Sequence, residues 1–145
     1  MTEKTLPLPR IATALGRAGL LPFCSAPLMI YLDPGRRELY ATLISSYALA
    51  IICFLVGAWW GLALIRRSSV ALVFSNIVVI VAFLGHALLD TPLFLILCAA
   101  LYPATVIVER RGRIFRAQPA YYARLRVQLT AVATASLLLA TALLL

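Results

Sequence analysis

Apolar positions along this chain come in long unbroken runs rather than in strand-like alternation or a repeating helical stripe. From Ser68 to Leu89 there are 22 residues without a formal charge, from Thr91 to Val108 there are 18, and from Val127 to Leu145 there are 19. Leu39 to Ile65 holds 27 more, and Ile11 to Leu32 is interrupted only by Arg17. A hydrocarbon core about 30 Å thick needs roughly 20 apolar residues of helix. Lipid offers bare backbone no hydrogen-bond partner, so a spanning segment must be a helix or part of a closed barrel, and continuous apolar runs are not barrel strands. The pattern predicts an all-α integral membrane bundle of five transmembrane helices in one membrane domain, residues 1–145, with helices at about 11–32, 41–65, 69–89, 92–108 and 126–145. The fourth, at about 25 Å, is expected to be short for a bilayer.

Local punctuation supports these limits. Asp33-Pro34-Gly35 is a turn signal that ends the first helix. Asp90-Thr91-Pro92 reads as a cap followed by proline in a first helical turn, and Gln118-Pro119 breaks any helix begun in the basic segment before it. Pro22 and Pro27 fall inside the first span and are expected to kink it.

Composition sharpens the class. The chain has 145 residues, is 63% hydrophobic and only 12% charged, and has a mean hydropathy of +1.00. That excess of apolar side chain excludes a water-soluble globule and a disordered chain. The net charge of +8 is unevenly placed. With the N-terminus inside, eleven basic residues face the cytoplasm, from Lys4, Arg10 and Arg17 through Arg66 and Arg67 to the six between Arg110 and Arg126, against Arg36 and Arg37 on the other side. The positive-inside bias therefore predicts a cytoplasmic N-terminus and a periplasmic C-terminus. Arg17 interrupts the first apolar run and no A-x-A-like site follows it, so no cleaved signal peptide is expected.

Candidate chemistry is sparse. His86 and Asp90 stand four apart on one helix face, where they read either as a proton or polar-ligand site or as an interfacial histidine beside a helix cap. Arg17 is either an internal cation or a residue snorkelling to the surface, and Asn76 is the strongly polar side chain nearest mid-membrane in the third helix. Gly16 and Gly19 suggest close packing on the first helix, as does the G-x-x-x-G of Gly57 and Gly61 on the second. Trp59, Trp60, Tyr121 and Tyr122 suit an interfacial aromatic belt. Arg110, Arg111, Arg113, Arg116, Arg124 and Arg126 are expected to contact anionic lipid headgroups or a partner protein. Cys24, Cys53 and Cys98 are isolated and read as small hydrophobes, and no metal spacing, nucleophile motif or phosphate loop is present.

Three stretches carry a family resemblance. Leu15-Gly16-Arg17-Ala18-Gly19-Leu20-Leu21-Pro22-Phe23, the segment Tyr47 to Leu64 with Phe54, Gly57, Trp60 and Gly61, and Pro119-Ala120-Tyr121-Tyr122-Ala123-Arg124-Leu125-Arg126 before Leu129-Thr130 occur in a recurring order. Together they resemble the family of small membrane proteins called domain of unknown function (DUF) 3429, which is similar to the mitochondrial transmembrane-protein-69 group. The resemblance covers about residues 12–143. Trp59 departs from it, standing where many relatives carry a His or another polar residue. It implies a multi-pass helical protein and no activity. The sequence thus favours a non-enzymatic accessory or assembly subunit of the bacterial inner membrane, less readily of the mitochondrial inner membrane, without cofactor or nucleic acid. The alternatives are a small transporter or proton conductor using His86 and Asp90, and a lipid- or quinone-handling protein.

Overall fold

A computed structural model of the chain describes residues 8–112, 116 and 118–145. The described residues are helical throughout, in the order α1 (Leu8–Ala18), α2 (Leu21–Leu32), a single 3-10 turn (Pro34–Arg36), α3 (Arg37–Arg66), α4 (Ser69–Leu88), α5 (Thr91–Arg111) and α6 (Ala120–Leu144). Five spans are long and apolar enough to cross a membrane, with α1 and α2 together forming the first.

The helices differ from the sequence-based limits in instructive ways. The first span is broken at Gly19-Leu20, ahead of both prolines. Pro22 lies in the first turn of α2, where a missing N–H is harmless, and Pro27 sits inside α2. The carbonyl freed at the break is used, since the Tyr47 hydroxyl on α3 donates to Gly19 O at 2.9 Å. α3 starts at Arg37 rather than at 41 and runs 30 residues, about 45 Å, so it must tilt or overhang the core. α5 is 21 residues, about 31 Å, so the fourth span is not short. α6 begins at Ala120 rather than at 126, which places Tyr121, Tyr122 and Arg124 on the helix rather than before it.

Connections are tight. α3 ends with Arg67 in the left-handed region (φ 52°), its turn closed by Ser68 N–H to Ala63 O at 2.9 Å, and Ser68 then caps α4 by accepting from Ala71 N–H at 3.3 Å. Such short links make consecutive helices antiparallel neighbours. α6 packs against α5, α2 and α1 and touches α3, while α4 lies against α3 and α5. The core gathers Phe23 and Ile30 from α2, Ile44, Ile52, Val56 and Trp59 from α3, Phe94 and Tyr102 from α5, and Leu137 from α6. Phe23 sits edge-on to both Tyr47 and Tyr102 at its centre.

Candidate functional site

The polar centre of the bundle is built on one face of α5. Cys98, Tyr102, Thr105 and Glu109 follow one another at spacings of four, three and four, and so stack along a single side of the helix. Tyr102 is buried and donates to Ala48 O on α3 at 3.1 Å. Thr105 donates to Tyr102 O at 2.7 Å and accepts from Arg126 Nη2 at 3.3 Å.

Glu109 completes the stack. Arg126 Nε donates to its Oε2 at 3.0 Å and Arg126 Nη2 to its Oε1 at 3.1 Å, a forked pair between α5 and α6. Trp59 Nε1 on α3 donates to the same Oε1 at 2.9 Å. Both charged side chains are shielded, at 6% exposure for Arg126 and 8% for Glu109. One carboxylate therefore ties three helices together at the end of the bundle that carries Arg66, Arg110 and Arg124. The pairing is obligatory on electrostatic grounds. Glu109 lies in the last turn of α5, where the helix dipole disfavours an anion, and an unpaired charge shielded from water is costly.

Several sequence-based assignments change here. Arg126 is not a headgroup contact but a buried partner of Glu109, and Trp59 is 2% exposed inside the bundle rather than in an interfacial belt, its ring stacked near Phe74 at 6.4 Å. Trp60, the next residue, is 44% exposed. Tyr121 and Tyr122 are half-buried, and Arg110, Arg111, Arg116 and Arg124 are exposed. Arg113 lies outside the described residues.

The His86–Asp90 relay is not assembled. Among the described residues no hydrogen bond or ion pair joins the two; the half-buried His86 ring instead sits edge-on to Phe94 at 4.9 Å. Asp90 is exposed, and its side chain makes no capping bond to α5. Asn76 faces outward and donates to Leu72 O at 2.8 Å, one turn back on its own helix. Arg17 is exposed in the last turn of α1. Among the described residues no three His, Cys, Asp or Glu side chains come together.

The glycines divide. A Cβ on Gly16 would stand 2.9 Å from Leu129 Cδ1, so α1 and α6 do approach closely there, and Gly19 faces the Tyr47 hydroxyl. Gly57 and Gly61 behave oppositely: a Cβ at either would meet nothing within 4 Å, so the G-x-x-x-G face points out of the bundle and packs no helix of this chain. The close glycine contact absent from the sequence reading is Gly85, where a Cβ would overlap Leu97 Cδ2 on α5.

Sequence reasoning also missed Glu109. The signal was present: it is the only acidic residue between Thr91 and Leu145, and it falls in register with Tyr102 and Thr105.

Two clefts border the ion pair and a third runs close by. One, about 320 Å³, is apolar and opens between α1–α2, α3 and α6, with Phe23, Phe54, Tyr102 and Tyr122 on its walls and Arg126 and Thr130 at its edge. A second, about 240 Å³, is polar and lies over the pair itself, lined by Glu109, Arg110, Arg116, Gln118 and Arg126. A third, about 450 Å³, runs along the outer seam of α5 and α6 past Pro103, Ile107, Thr130, Thr134 and Leu138.

No curated protein and no solved structure matches the chain. The family described as "Protein of unknown function (DUF3429)" matches residues 8–142, nearly the whole length, and the chain, with its five apolar spans and a buried ion pair between two of them, belongs to that family.

Proposed function

We propose that the protein is a non-enzymatic accessory or assembly subunit of a larger complex in a bacterial inner membrane, with its N-terminus in the cytoplasm and its C-terminus in the periplasm. The observation that carries this reading is the outward face of α3. Gly57 and Gly61 stand in open space, flanked by exposed Phe54, Trp60 and Leu64. Membrane helices associate through small residues that let backbones approach, because apolar side chains alone gain nothing over lipid tails. A G-x-x-x-G face unused within the chain suits a helix from another protein. The basic end, with Arg66, Arg110, Arg111 and Arg124 exposed, adds attraction to an anionic leaflet.

Extraction in mild detergent followed by identification of co-purifying proteins tests the reading. Wild type is expected to bring a stoichiometric membrane partner, and Gly57→Leu to lose it. Because a Cβ at Gly57 would meet nothing within 4 Å, Gly57→Leu is expected to leave the protein itself folded, which an unchanged unfolding midpoint checks, so that the loss reports association. A solitary monomer for wild type, or a partner retained by Gly57→Leu, overturns the reading.

A second reading, the handling of a lipid or quinone, draws on the apolar cleft between α1–α2, α3 and α6, whose four aromatic walls and edge arginine suit a flat or tailed amphiphile. Narrowing that cleft with Ala12→Leu while leaving Gly57 and Gly61 on the outward face of α3 intact separates the two.

A further inference from the structure

We infer that the seam between α5 and α6 is a binding site for one anionic glycerophospholipid, its phosphate held over the ion pair and one acyl chain laid down the outer groove. Three features in depth order match the three parts of such a lipid.

At the basic end, the polar cleft carries Arg110, Arg116 and Arg126 against the single carboxylate of Glu109. Both Glu109 oxygens are already taken by Arg126 and Trp59. The pair cancels, so Arg110 and Arg116 remain as two uncompensated cations, with the Gln118 side chain beside them. Neither arginine has a carboxylate partner among the described residues. A phosphate diester supplies one negative charge and oxygens that guanidinium groups bind well.

One turn deeper, about 6 Å along α6 from Arg126, stands Thr130. It is 6% exposed, its buried hydroxyl has no hydrogen-bond partner, and the residue stands between this groove and the apolar cleft, lining both. A buried hydroxyl without a partner is a standing cost, and a threonine on a helix has its own carbonyl four residues back as an easy alternative. A glycerol ester carbonyl lies at this depth below a lipid phosphate and accepts a hydrogen bond. Thr134, another turn down, likewise has an unpartnered hydroxyl on the same groove.

Below the threonines the groove is apolar. Val106 and Arg110 line both the polar cleft and the groove, so the two are continuous. From Val127 to Leu138 the groove extends eleven residues along α6, about 16 Å. Half of a hydrocarbon core is about 15 Å, so the groove is one leaflet deep. That length and the position of the cations at its mouth select a lipid of the adjoining leaflet over a protein segment.

The test uses the full chain reconstituted in nanodiscs of equimolar dioleoyl phosphatidylcholine and dioleoyl phosphatidylglycerol, with retained lipid read by native mass spectrometry. Wild type is expected to carry one phosphatidylglycerol in preference to phosphatidylcholine. Arg110→Gln should lower that retention about tenfold, the scale of one charge-assisted hydrogen bond, while Arg124→Gln, exposed on α6 but off the site, leaves it unchanged. Thr130→Val keeps the side-chain shape and removes only the unpartnered hydroxyl; it should cut retention about fivefold for ester-linked lipid and not at all for the ether-linked analogue. Equal retention of the two headgroups, equal effects of Arg110→Gln and Arg124→Gln, or indifference to Thr130→Val would each overturn the site. The site does not depend on the accessory role, since a chain without a protein partner would still carry the lipid.

Discussion

Glu109 concentrates the energetics of this molecule in one side chain. Its carboxylate serves Arg126 and Trp59 at once, and both ions are largely shielded from water. Removing one member of a shielded pair costs about 3–5 kcal/mol because the other charge is stranded, whereas removing both for well-packed apolar groups is often close to neutral. Glu109→Leu and Arg126→Met are therefore each expected to lower the midpoint of thermal unfolding in detergent sharply, and the double variant to recover most of the loss. Additive losses in the double variant would show that the two side chains do not depend on each other. Trp59 illustrates why residue roles were hard to read. A tryptophan a few positions before Arg66 fits an interfacial belt, yet it shares a face with Ile52, Val56 and Ala63, all buried. In a soluble helix that face would stand out against a polar one; in a helix that is apolar all round the same spacing carries no contrast. Polar residues escape this problem, and the Tyr102, Thr105 and Glu109 register, though missed, could have been found for that reason.

At the scale of elements, four of the five spans were readable because charge is so costly in hydrocarbon that an uncharged apolar run of 18 or more residues marks a crossing, and the first was read across Arg17, which lies near its end. The ends were less so. α3 takes in Arg37 and Glu38, and α5 runs on to Arg110 and Arg111, because arginine and glutamate are good helix formers and long side chains reach the polar boundary from inside a helix. The break at Gly19-Leu20 was hidden behind two prolines that mark more conspicuous places to expect one. Helix seams were hidden too: a glycine pair says that backbones could approach, not which ones do. Two glycines separate the cases. Gly85→Leu drives a side chain into Leu97 and should destabilise the fold by about 1–3 kcal/mol, whereas Gly57→Leu, whose Cβ would meet nothing within 4 Å, should not lower the unfolding midpoint. Equal midpoints for the two variants would show that α4 and α5 do not meet at Gly85.

For the molecule as a whole, eleven basic residues against two set the expected orientation, and five crossings in alternation would put the two termini on opposite sides. In a background with Cys24, Cys53 and Cys98 replaced, a cysteine at Gly35 or Leu145 is expected to react with an impermeant maleimide added outside intact cells, and one at Ser69 only after the membrane is opened. The reverse pattern would invert the protein; Gly35 and Leu145 on different sides would rule out five crossings. Nothing in a charge count, however, foretells which helix occupies the middle. That place belongs to α3, which touches α2, α4, α5 and α6, while α6, the last of these helices to be synthesised, seats α1 and α2, the first. Until the ribosome has delivered everything past Ala120, the opening pair of half-helices has no permanent neighbour along that flank and Glu109 has no cation. The fold thus closes from its tail, and a nascent chain stalled short of α6 must lean on the insertion machinery, or on whatever protein later shares its bilayer, to keep the early pieces in place.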